Sequence, residues 1–174
     1  MLNFLLIIAV IVTAILIYAS TRPDSFRVER ATIINAPPEK VFPIINDFHA
    51  WEGWSPWEKL DPNVKRSYDG AGSGVGAKYA WAGNKQLGEG KMEIIESTPY
   101  THIGLNIYFI KPMQAQNKID FTLERQGGAT KVVHAMHGPS PFISKLMSLV
   151  FNMEKMVGPK FEEGLASIKA IAEK

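Results

Sequence analysis

Met113-Gln-Ala-Gln-Asn-Lys-Ile-Asp-Phe-Thr-Leu-Glu-Arg125 is the stretch that decides the fold. Met113, Ala115, Asn117, Ile119, Phe121 and Leu123 fall on one side of a two-residue repeat. Gln114, Gln116, Lys118, Asp120, Thr122 and Glu124 fall on the other. Successive side chains of a strand point to opposite faces, so this pattern predicts a strand with one face on a core and one in water. Upstream, Ile103, Leu105, Ile107 and Phe109 share a face within Thr101 to Ile110. Downstream, Gln126-Gly127-Gly128 reads as a hairpin turn into a last strand over Thr130 to Gly138. Three antiparallel strands in series make a sheet with one apolar face, and that face needs a cover.

The cover lies beyond the last strand. Pro141 to Lys174 reads as helix, with Ile143, Leu146, Met147, Val150, Met153, Val157, Phe161, Leu165, Ile168 and Ala172 at helical spacing. Gly158-Pro159 is expected to kink or break it. On the other side, Val64 to Tyr68, Gly76 to Ala82 and Leu87 to Glu96 read as strands between turn signals, and Phe26 to Asn35 as the first strand. Pro38 suits the first turn of a short helix, with Glu39 near its positive end and Val41, Phe42, Ile44, Ile45 and Phe48 at helical spacing. The order is strand, helix, six strands, long helix. An α+β fold with a curved antiparallel sheet of about seven strands wrapped on the C-terminal helix satisfies it, because sheet and helix each bury one apolar side.

Residues 26–174 suit one domain with a sizeable core. Ahead of it, Leu2 to Ala19 carries no charged side chain. Roughly 20 apolar residues in a helix cross the hydrocarbon layer of a bilayer. Asn3 lies within reach of headgroups and Tyr18 where interfacial aromatics belong. A cleaved signal peptide is the rival. It would begin with a basic region and end in a small-x-small site. No Lys or Arg precedes the run, and cuts after Ala19 or Ser20 place Ile17 or Tyr18 at the position that should be small. The expectation is an uncleaved single-pass anchor over residues 1–21 in the inner or plasma membrane, a linker over 22–25 containing Pro23, and the domain over 26–174. Arg22, Arg27 and Arg30 follow the apolar run, which puts the domain on the cytoplasmic side.

Nineteen Lys and Arg against 17 Asp and Glu give a net charge of +2, no footprint for nucleic acid. There is no Cys and no Gly-x-Ser-x-Gly elbow, which argues against a nucleophilic triad. His134 and His137, three apart on a strand, face opposite ways and cannot share a metal ion, and His49 and His102 have no partner in sequence. Gly72-Ser73-Gly74-Val75-Gly76 precedes a strand and opens no helix, so it reads as a turn and not a phosphate loop. No metal or cofactor is expected.

Further residues carry a resemblance: Ile34-Asn35-Ala36-Pro37-Pro38-Glu39-Lys40-Val41-Phe42, Asp47-Phe48, Trp51, Trp54-Ser55-Pro56-Trp57, Gly74-Val75-Gly76-Ala77, Trp81-Ala82-Gly83-Asn84, Gly88-Glu89-Gly90, and Met153 to Gly158 through Phe161 to Leu165. In these the chain resembles the START-like helix-grip (SRPBCC) superfamily, in its polyketide cyclase/dehydrase and lipid-transport branch, over nearly all of residues 26–173. The resemblance implies the helix-grip fold and a range of roles: ligand carrier, lipid-transfer domain, or cyclase. Where relatives often carry Trp in the last strand, this chain has His134.

The site is expected between helix and sheet. Four Trp fall within residues 51–81, and six of seven Met lie after residue 90. Either group serves as core packing or lines an apolar pocket that accepts varied shapes. The candidate lining is Trp54, Trp57, Trp81, Leu105, Ile107, Phe109, Asn117, Phe121, His134, Met136, Met147, Val150 and Met153. Trp54 and Trp57 would close the mouth, and Asn117 and His134 would supply the polar contacts. A noncatalytic module for a lipid or polyketide-like hydrophobic molecule at the membrane is the leading expectation. An accessory subunit docking on a membrane complex is the alternative. A cyclase is third, because no acid and base pair falls in the cavity from sequence.

Overall fold

The structure, a computed structural model, describes residues 1–174, the side chain of Leu2 excepted. An apolar helix α1 (Leu2–Ser20) leads into strand β1 (Ser25–Ile34), helix α2 (Pro38–Asn46) and a 3-10 turn (Phe48–Gly53). Strands follow at β2 (Lys65–Gly70), β3 (Ala77–Ala82), β4 (Glu89–Thr98), β5 (His102–Lys111), β6 (Ala115–Gln126) and β7 (Ala129–Pro139). Helices α3 (Phe142–Met147) and α4 (Met153–Ala172) close the chain. The sheet is antiparallel throughout, in the order β1-β7-β6-β5-β4-β3-β2. Register shifts between Glu89 and Gly90 and between Ile94 and Glu96 bend it, as an extra residue in one strand does. The fold is the α+β helix grip that the pattern of alternation implies.

Strand β6 repays its reading. Asn117, Ile119, Phe121 and Leu123 are buried, and Gln116, Lys118, Thr122 and Glu124 are exposed. Met113 and Ala115 depart from the expectation: both are exposed, because the strand begins only at Ala115 and Met113 lies in the turn from β5.

The C-terminal helix also departs from it. The break falls at Ser148–Asn152, and Gly158-Pro159 lies inside a continuous α4. Local hydrogen bonds explain the break. Ser148 Oγ donates to the Lys145 carbonyl (2.7 Å), and Asn152 caps α4 by accepting from the Lys155 amide (3.1 Å). A clamp from β1 explains the continuity. Arg30 crosses α4 at Gly158 and donates to Glu154 on one side of Pro159 (2.5 Å) and Glu162 on the other (2.5 Å). A Cβ at residue 158 would sit 2.2 Å from the guanidinium, so glycine is what lets the clamp close.

The core runs from α2 and the 3-10 turn across the inner sheet face to Phe161, Leu165 and Ile168 of α4. Helix α1 is exposed along its described length except at Ala19, which is fully buried where α1 meets α3. It is long and apolar enough to cross a membrane.

Candidate functional site

The interior of the grip begins with two indoles. Asp47 accepts from the His49 amide (2.8 Å) and starts the 3-10 turn, which carries Trp51 and Trp54 back under α2. Trp51 Nε1 donates to the Ile45 carbonyl (2.9 Å) and Trp54 Nε1 to the Ile44 carbonyl (3.0 Å). The last carbonyls of a helix have no partner within it, and the indoles supply one. Both rings then meet Phe121 edge-on, at 6.2 and 6.0 Å between centroids.

From Phe121 the aromatic packing crosses the grip. The His134 ring stacks on Phe121 at 4.1 Å and on Phe161 of α4 at 3.6 Å, and Trp57 meets Phe161 edge-on at 6.0 Å. His134 is buried and its Nδ1 has no hydrogen-bond partner. Burial pushes its imidazole down to about 3, so the ring is neutral at physiological pH. At the side, Trp81 lies across Gly90, where a Cβ would come within 2.4 Å of the indole, and it meets Phe109 edge-on.

Of the sequence-predicted lining, Trp54, Trp81, Leu105, Ile107, Asn117, Phe121, His134 and Met136 are brought together in this interior, with Trp57 and Phe109 half-buried at its margin. Trp54 is 1% exposed, inside the core and not at a rim, because its indole is tied to α2. Met147, Val150 and Met153 are not brought to the sheet. Met147 is half-buried on α3, and Val150 and Met153 are 80% and 41% exposed, because the chain turns away at the break before α4. His137 lies on the outer face, bonded through Nε2 to Asp120 (2.7 Å), which also bonds His102 (3.1 Å).

Three residues that shape the interior stand outside the candidate lining read from the sequence. Phe161 is the inner stacking partner of His134; its place in the helical stripe marked it only as core. Trp51 stands beside Trp54 in the same motif. Glu58 accepts from Tyr79 Oη (2.6 Å) and Arg66 Nε (2.7 Å) at the β2–β3 side. Burial pushes the Tyr79 hydroxyl up, and the neighbouring Glu58 carboxylate adds to it. Tyr68 and Tyr79 pair across β2 and β3, and Glu58 reaches Tyr79 from a loop that carries no sequence signal. Two open clefts, about 290 and 420 Å³, lie on the outer sheet face around Lys78, Lys91 and Tyr108 and at the β5–β6 turn. Neither is lined by α4. Among the described residues no group of three His, Asp or Glu is arranged to hold a metal ion.

Residues 25–173 match the family described as polyketide cyclase / dehydrase and lipid transport. The chain belongs to this family. Solved structures share the family's grip. Protein CV1439 from Chromobacterium violaceum is 16% identical with a TM-score of 0.60, covering 88% of this chain and 99% of its own. The Aha1 dimer from Colwellia psychrerythraea is 16% identical with a TM-score of 0.59, covering 85% and 96%. Protein Mll3558 from Rhizobium loti is 13% identical with a TM-score of 0.63, covering 84% and 96%. At these identities the likeness is one of fold. No curated protein matches the chain. As a member of the polyketide cyclase / dehydrase and lipid transport family, the domain falls in a group whose description points to hydrophobic ligands.

Proposed function

We propose that this chain is a membrane-anchored, noncatalytic module that binds or transfers a hydrophobic molecule, a lipid or a polyketide-like compound, at the bilayer surface. The observation that carries the reading is His134. A buried polar atom without a partner costs about 1–3 kcal/mol. Folded proteins keep such atoms where something else completes the bond. Nδ1 of His134 is such an atom, set among apolar and aromatic walls. A small apolar molecule with one polar group would complete that bond where the stack of Phe121, His134 and Phe161 parts to admit it. Trp57, Trp81, Phe109 and Met136 supply apolar wall, and buried Asn117 a second polar contact. Burial makes the His134 imidazole a weak proton acceptor, which supports binding over turnover.

Helix α1 supports the anchor, and Arg22, Arg27 and Arg30 support a cytoplasmic domain. The alternative, docking on a membrane complex, is favoured by one observation: the aromatic stack of Phe121, His134 and Phe161 fills the middle of the grip. Native mass spectrometry of the full chain released from lipid nanodiscs separates the two. The expected result is a retained adduct of lipid mass. A bare chain that co-purifies with a stoichiometric protein partner overturns the binding reading in favour of docking.

A further inference from the structure

The register of the sheet gathers one set of chain ends at one edge. Ser25 pairs with Pro139, Phe109 with Ala115, Glu89 with Lys111, and Lys65 with Ala82. The exit from α1, the entry to α3 and the β5–β6 turn therefore lie at the same end of the grip. Eight of the twelve large apolar side chains exposed beyond residue 25, among the described residues, belong to this end. Ile110 and Met113 flank the β5–β6 turn; Phe142 and Ile143 open α3; Val150 and Phe151 form the break before α4. Met153 and Met156 follow in the first turn of α4.

The charges fit the same picture. From Pro141 to Met153 the only charged residue is Lys145. It is buried, with its ammonium 2.5 Å from Asp24 of the segment that leaves α1. The Asp24 carbonyl also accepts from the Ser140 amide (2.7 Å). The apolar segment is thereby fastened to the root of α1, and α1 touches α3 directly. Arg22, over the Tyr18 ring at 5.7 Å, and exposed Lys155 border it, and the two acids at the same rim, Asp24 and Glu154, are paired with Lys145 and Arg30. Apolar side chains bordered by Arg, Lys and paired acids, beside a helix with Tyr18 in its last turn, suit the headgroup layer.

We propose that this end of the grip, formed by α3, the break at Ser148–Asn152 and the β5–β6 turn, is seated in the headgroup layer of the bilayer that α1 spans, so that the domain stands on the membrane by a second, interfacial contact. The proposal rests on the reading of α1 as a membrane span. Its occupant is the lipid surface itself. Continuity with α1 argues for this, because a helix that enters the hydrocarbon at Tyr18 leaves the fastened segment at headgroup depth.

The chain has no cysteine, so single cysteines can be spin-labelled in the full chain in nanodiscs of phosphatidylcholine and phosphatidylglycerol. Labels at Met113, Ile143 and Val150 are compared with one at Val75, exposed at the opposite end, and one at Val10 in α1. The expected result is collision with oxygen exceeding collision with a water-soluble nickel chelate at residues 10, 113, 143 and 150, and the reverse at 75. Water-like accessibility at 113, 143 and 150 with lipid-like accessibility at 10 overturns the docking and leaves the span standing. Water-like accessibility at residue 10 overturns both. Labels at 113, 143 and 150 that are immobilised and shielded from both reagents assign the surface to a protein contact and overturn the lipid one.

Discussion

His134 concentrates the chemistry of the interior in one ring. It is neutral when folded and titrates near 6.5 when unfolded. Between about 6.5 and 3 the unfolded chain binds a proton that the folded chain does not, so stability falls as pH is lowered through that window. The slope is about 1.4 kcal/mol per pH unit. His134→Phe removes it. The loss of urea midpoint from pH 7.5 to pH 5 is expected to be smaller in the variant than in the parent, and an equal loss in both would show that the acid sensitivity lies elsewhere. Phe161, on the other side of that ring, is 1% exposed. Phe161→Ala opens a void against His134 and Trp57 and is expected to cost about 3–5 kcal/mol in denaturant unfolding. A cost under 1 kcal/mol would mean that the stack collapses onto α4 without loss.

At the scale of elements, α4 depends on a residue from the far end of the sequence. Glycine inside a helix is ordinarily destabilising by roughly 0.5–1 kcal/mol relative to alanine. At Gly158 an added Cβ meets Arg30, so the ordinary gain is opposed by loss of the clamp. Gly158→Ala is expected to stabilise in an Arg30→Ala background and to give little or no gain in the parent, a coupling that a double-mutant cycle of unfolding free energies reads directly. Additivity within about 0.3 kcal/mol would show that Arg30 does not hold the helix. The same residue explains what was legible in the sequence. The alternation of β6 was readable because inward and outward positions differ in polarity along one strand. The continuity of α4 through Pro159 was not, because it is secured by Arg30, remote in sequence. The break at Ser148–Asn152 rests on hydroxyl and amide side chains bonding to nearby backbone, a weaker signal than a Gly-Pro pair. The Trp51 and Trp54 motif gave away its importance but not its depth, since burial follows from indoles reaching carbonyls of α2.

At the scale of the whole molecule, the proposed anchor is a statement about α1 in lipid. Alkaline carbonate washing of native membranes is expected to leave the full chain in the pellet, and quantitative release would remove the anchor from the account. The cytoplasmic orientation proposed above rests on Arg22, Arg27 and Arg30. Protease added outside intact spheroplasts is expected to spare the domain, whereas ready digestion would place it on the opposite side.

The pairing of β1 has a consequence for synthesis. Its only neighbour is β7, so Ser25 waits for Pro139, over a hundred positions later. At about 5–20 residues per second, a ribosome takes several seconds to cover that distance. Throughout it, β1 has no β7 beside it, while α1 is already made. If α1 is the proposed anchor, the nascent chain meets the membrane before it has a sheet, and an open strand edge lingers at the lipid surface. Charge along that edge is a safeguard against wrong pairing, and Arg27, Glu29 and Arg30 put it on β1 during those seconds.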